Sequence, residues 1–181
     1  MLSRQRATIA DLHHIPGRAE LVNGYIVLMP PAGALPGNAA GEIFIGLRTY
    51  VRQRQVGHAI SGNAAFIVNL PHRESFCPCA AYYVGPDPGM DFYIGAPRFA
   101  AEVRYIDDYG PMAKQERTVK RSDYFAAGTL VVWDVDLLDE DVVKVYRASD
   151  PTNPTIYRRG EIAEAEPAVP GWTMPVDDLF A

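Results

Sequence analysis

Short stretches of alternating or helically spaced apolar residues run along the chain, each predicting one element. Between Ala19 and Met29, Glu20-Leu21-Val22 and Tyr25-Ile26-Val27-Leu28 flank Asn23-Gly24. Both turn residues tolerate positive φ, so the stretch predicts a β-hairpin with a two-residue turn. Pro30-Pro31 closes it. Ahead of it, Thr8 can cap a short helix over Ile9-Ala10-Asp11-Leu12, ended by Pro16 and Gly17. From Gly41 to Gln55, Ile43, Leu47, Tyr50 and Val51 recur at helical spacing and predict the first long helix.

A strand is expected within Ala59–Leu70, a second over Cys79–Val84 and a third over Phe99–Tyr105. Gly110–Ala127 predicts the second long helix, with Gly128 as its C-terminal cap. Leu130–Val135 is almost continuously apolar, the pattern of a strand covered on both faces. Val142–Tyr146 reads as its hairpin partner, and the tail from Ile156-Tyr157 onward as one or two edge strands. This order predicts the α/β (α+β) class: a mixed β-sheet with a helix flanking each face, the simplest way to bury these apolar surfaces.

The chain has 181 residues, so one domain over 1–181 is expected. No apolar run is long enough to span a bilayer, and Met1 to Asp11 has no apolar stretch that would read as a secretory signal. Cys77 and Cys79 are too few for a disulfide framework and point to a reducing, cytoplasmic setting. The net charge of −5 argues against tight grip on nucleic acid, because phosphate contacts supply most of that affinity. Weak DNA contact through a local basic strip stays possible. The candidate contacts are Arg48, Arg52 and Arg54 on the first long helix and Lys114, Arg117 and Arg121 on the second, the latter three at helical intervals that form one cationic strip. The plainer reading of Arg48, Arg52 and Arg54 is a solvated helix face.

Six segments, in order, carry a family resemblance: Glu20-Leu21-Val22-Asn23-Gly24, Pro78-Cys79-Ala80-Ala81-Tyr82-Tyr83-Val84, Ala101-Glu102-Val103, Lys120 through Tyr124 to Gly128, Val132-Trp133-Asp134-Val135-Asp136, and the ending Pro170-Gly171-Trp172 with Asp178-Leu179-Phe180. Together they resemble the Uma-two restriction-endonuclease family, a bacterial branch of the PD-(D/E)XK nuclease-like superfamily. The resemblance implies a restriction-endonuclease-like core and metal-dependent hydrolysis of DNA phosphodiesters. It implies catalytic roles for Glu20, Glu102 and Lys120, with Glu20, Glu102 and an Asp of the second segment holding Mg²⁺ or Mn²⁺. Such hard ions take carboxylate oxygens, polarise the phosphate and acidify a bound water, while a lysine stabilises developing negative charge.

At the Asp position this chain has Cys79, a soft and doubtful ligand for a hard ion. Ala40-Gly41-Glu42-Ile43 also departs from the family's histidine-containing helix start. Asp87, Asp91, Asp107 and Asp108 are candidate substitutes for the missing carboxylate. Each site residue has a plainer reading: Glu102 as a partner in an ion pair with Lys120, Glu20 as an exposed hairpin residue, and Cys79 as a small buried hydrophobe. A zinc site on Cys77 and Cys79 is a lesser alternative. His13 and His14 read as turn residues, and His58 and His72 have no ligand spacing. Three functions stay open: a metal-dependent endonuclease impaired at Cys79, a non-catalytic module binding nucleic acid or protein on a nuclease-like fold, and a structural partner in a homodimer.

Overall fold

The computed structural model describes residues 6–181, so the first residues of the Met1–Asp11 segment lie outside it. In chain order the elements are α1 (Ile9–Leu12), β1 (Ala19–Val22), β2 (Tyr25–Leu28), α2 (Ala34–Arg54), β3 (His58–Ser61), β4 (Phe66–Leu70), β5 (Arg73–Phe76), β6 (Ala80–Tyr83), β7 (Tyr93–Ile94), β8 (Phe99–Val103), α3 (Pro111–Ala126), β9 (Val131–Val135), β10 (Val143–Arg147), β11 (Asp150–Tyr157), β12 (Ile162–Glu164) and β13 (Thr173–Pro175). A 3-10 turn over Val176–Phe180 follows.

The predicted mixed sheet is present. It has six strands in the order β11-β10-β9-β8-β6-β3, and only the β8–β9 pair, joined through α3, is parallel. A second sheet runs β2-β1-β5-β4-β7, and β12 pairs with β13. At the β1–β2 turn, Asn23 and Gly24 both take positive φ, 54° and 73°, as the two-residue hairpin turn requires.

Alternation along β8 places one core on each of its faces. Phe99, Ala101 and Val103 face α2, where Ala39, Ile43 and Leu47 pack with Trp133. Ala100 faces the other way, toward Tyr124 of α3 and Phe66 and Phe76 of the second sheet. The two long helices therefore lie on opposite faces, as expected.

Four local readings change. Helix α2 begins at Ala34, not Gly41. Pro36 and Gly37 resemble breakers in sequence, yet Pro36 falls in the first turn, where its amide would have no intrahelical partner. The Ala59–Leu70 stretch holds two strands, β3 and β4, rather than one. Strand β5 carries no apolar signal before Phe76, because its inward positions are Arg73 and Ser75, both buried. The tail strand β11 starts at Asp150 and contains Pro151 and Pro154, which an edge position tolerates. Among the described residues, no helix is long and apolar enough to cross a membrane.

Candidate active-site cleft

A cleft of about 730 Å³ opens between the β1–β2 hairpin, the end of β8 and helix α3. Glu20 stands on β1, Glu102 on β8, and Lys120, Asp123 and Tyr124 on α3. Strand β5 pairs with β1 at Val22–Arg73 and thereby brings Arg73 into the same place.

The ammonium of Lys120 lies 2.8 Å from Glu20 Oε1 and 2.8 Å from Glu102 Oε1. Arg73 reaches Glu20 Oε2 at 2.7 Å through Nη1 and Asp123 Oδ2 at 2.8 Å through Nε. The Cys77 amide donates to Glu20 Oε1 at 2.9 Å, and the Tyr124 hydroxyl to Glu102 Oε1 at 2.6 Å. His72 extends the chain outward, with Nε2 2.6 Å from Asp123 Oδ1. Glu20 is only 3% exposed, so such a charge survives only because cations surround it. Burial works against the Glu20 carboxylate, but Lys120 and Arg73 outweigh that and hold its pKa below the usual range. Burial likewise opposes the Lys120 charge, and Glu102 and Glu20 more than restore it, raising the ammonium's pKa.

Three predicted site residues, Glu20, Glu102 and Lys120, thus converge from a hairpin, a central strand and a helix. Cys79 lines the same cleft but makes no bond to this cluster. It lies just before β6 and packs in the α2-side core, its Sγ 3.4 Å from the Val103 amide and 3.7 Å from the Tyr105 hydroxyl. Burial, and then the Glu102 carboxylate, push its thiol pKa up. Beside it, Arg18 donates through Nη2 to the Cys77 carbonyl at 2.7 Å and lies 3.8 Å from Cys79 Sγ. Its Nη1 donates to the Tyr105 hydroxyl.

The six expected DNA-contacting cations divide. Arg117 and Arg121 line the cleft. Arg117 donates to the Asp108 carbonyl and stands 3.9 Å from Asp134, and Arg121 lies over the Tyr146 ring at 3.7 Å. Lys114 is exposed on α3 but does not line the cleft. Arg48, Arg52 and Arg54 are exposed on α2, across the sheet, and Arg54 leans on Tyr50. Of the expected strip Lys114, Arg117 and Arg121, only Arg117 and Arg121 therefore stand beside the cleft, and the α2 arginines lie on the opposite face of the sheet. Of the candidate acids, Asp107 and Asp108 line the cleft, Asp108 accepting from the Tyr105 amide, whereas Asp87 and Asp91 cap their own loop.

Sequence reasoning missed Arg18, Arg73, Asp123 and Tyr124. A signal existed for Arg73, since Arg73 and Ser75 alternate directly before Phe76. Arg18 stands two positions before Glu20 and so shares its side of the extended chain.

The Uma2 family model, described as "Putative restriction endonuclease", matches residues 9–177. This chain belongs to the Uma2 family. Among solved structures, it is similar to a protein of Anabaena variabilis described as a putative nuclease belonging to DUF820. The TM-score is 0.71 at 16% identity, covering 96% of this chain and 97% of that one, which establishes a shared fold. No curated protein matches.

The donor set does not fit the hard divalent ion that the Uma2 resemblance implies. Both Glu20 oxygens are taken by cations and an amide. The third ligand position is a buried thiol pushed toward its protonated form. Asp134, also on the cleft floor, is held at both oxygens by Arg104, at 2.7 and 2.8 Å. Among the described residues, no group of three or more histidine, cysteine or acidic side chains is arranged to hold a metal, and Cys77 and Cys79 form no zinc site.

Proposed function

We propose that this Uma2 protein engages the DNA backbone weakly at the cleft mouth and is impaired in metal-dependent phosphodiester hydrolysis. One observation carries the reading: the carboxylates a metal would need are already neutralised by Arg73 and Lys120, and the third ligand is a thiol beneath a guanidinium. The cleft is lined by six cationic and six acidic side chains, so no net positive field draws DNA inward. Contact rests on Arg117 and Arg121 at the α3 edge. The two free, buried thiols suit a reducing cytoplasm.

A second reading, an active Mg²⁺- or Mn²⁺-dependent endonuclease, draws on the convergence of Glu20, Glu102 and Lys120. One experiment separates the two: fluorescence anisotropy with a short labelled duplex over a salt series, run beside supercoiled-plasmid nicking in Mg²⁺ or Mn²⁺. Weak, salt-sensitive binding without nicking is the expected result. Metal-dependent nicking by the parent protein, abolished by Lys120→Met, would establish the endonuclease instead.

A further inference from the structure

The third ligand position carries a thiol in place of the expected aspartate, and a guanidinium stands beside it. We infer that Arg18 is a resident cation of the cleft that excludes a divalent metal, so that restoring a carboxylate at position 79 alone does not restore metal binding. The inference rests on the proposed reading that the parent site no longer holds a metal.

Arg18 extends the β1 ladder by one residue, its carbonyl accepting from the Met29 amide at 3.0 Å. Its side chain therefore projects on the same side as that of Glu20. The guanidinium is fixed by the Cys77 carbonyl, the Tyr105 hydroxyl and Cys79 Sγ, and it lines the cleft together with Glu20, Glu102 and Lys120. Arginine carries its charge at every accessible pH. Mg²⁺ bonds to oxygen at about 2.1 Å. A divalent ion bonded to the ligand atom of residue 79 would thus lie within about 6 Å of Arg18 Nη2, given the 3.8 Å from that nitrogen to Cys79 Sγ. The ion would face a fixed like charge in a partly buried site, with Lys120 already bound to both carboxylates. The geometry also gives Arg18 a strong claim on any carboxylate placed there. An arginine fork binds a carboxylate by two parallel hydrogen bonds, and the neutralised oxygens then offer little to a metal.

Arg18 is thus a third cation in a cleft where Arg73 and Lys120 already neutralise Glu20, Glu102 and Asp123. Restoring the metal site therefore takes two changes, one adding an oxygen ligand and one removing the guanidinium.

The test is a thermal melt of the parent, Cys79→Asp, an Arg18 variant and the double variant, each with increasing Mn²⁺. Arg18→Gln keeps an amide donor for the Cys77 carbonyl and Arg18→Met keeps only the stem. Whichever retains the parent's cooperative melt carries the comparison. The expected result is a Mn²⁺-dependent rise in melting temperature in the double variant only, about 5–10 °C at Mn²⁺ a hundredfold above its dissociation constant. An equal rise in Cys79→Asp alone overturns the inference, because the thiol would then be the sole block. No rise in the folded double variant overturns it too, because something other than Arg18 excludes the ion. A rise in the parent instead contradicts the proposed function, which keeps the two failures distinct.

Discussion

Replacing Glu20 with glutamine separates two kinds of acidic site by the sign of a stability change. In a site whose carboxylates await a metal, neighbouring negative charges repel and removing one relieves the metal-free protein. In the cluster described above, Glu20 accepts from Arg73 at 2.7 Å, Lys120 at 2.8 Å and the Cys77 amide at 2.9 Å. Glutamine must turn its own NH₂ toward at least one of these donors. Removing one member of a buried ion pair costs about 3–5 kcal/mol, because the partners keep their desolvation cost. Arg73 retains Asp123 and Lys120 retains Glu102, which places Glu20→Gln at the lower end, about 3 kcal/mol. Urea unfolding followed by circular dichroism in chelator measures this directly. With a slope of about 2 kcal/mol/M, the midpoint falls by about 1.5 M. A variant as stable as the parent, or more so, would refute the cluster.

Further outcomes follow from the same contacts. The Glu20 pKa is lower folded than its ordinary 4.5, so its stabilising contribution is full above that value and lost as pH falls through the folded pKa; the gap between parent and Glu20→Gln should hold from pH 7 to pH 5 and close below pH 4.5. Tyr124→Phe removes the 2.6 Å donor to Glu102 and should destabilise by about 1.5 kcal/mol in the same unfolding assay. Joint Arg117→Ala and Arg121→Ala should abolish duplex binding, whereas Arg48, Arg52 and Arg54 changed together to Ala should leave it intact. With two phosphate contacts, the slope of log affinity against log salt should be about −2 in the parent. Burial pushes both thiols up, so Cys77 and Cys79 should resist an aromatic disulfide reagent at neutral pH until the protein unfolds, as read by absorbance.

Much of the frame was legible because apolar periodicity sets elements and order sets topology. Asn23-Gly24 fixed the hairpin turn, and the apolar run through Trp133 marked a strand covered on both faces. The charged floor was harder to read. Arg73 and Ser75 occupy positions where a strand is expected to be apolar, so the pattern predicts no strand at β5. Arg18 shares Glu20's side of the extended chain, but its contacts arise only where the hairpin meets the Cys77–Cys79 segment. The family resemblance located Glu20, Glu102 and Lys120, but it says nothing of their partners. Those partners decide whether a carboxylate is available to a metal or already spent in an ion pair. Spacing shows that the basic residues of α2 and of α3 each share a helix face, but only the sheet between the helices shows which of them stand at the cleft.

The most direct test of a charge cluster complete without metal is calorimetric titration of Mn²⁺ into the parent protein at neutral pH. No saturable heat at millimolar Mn²⁺ is the expected result. A single-site isotherm that disappears in Glu102→Gln would contradict it, placing a working metal site between the very carboxylates that Lys120 and Arg73 neutralise.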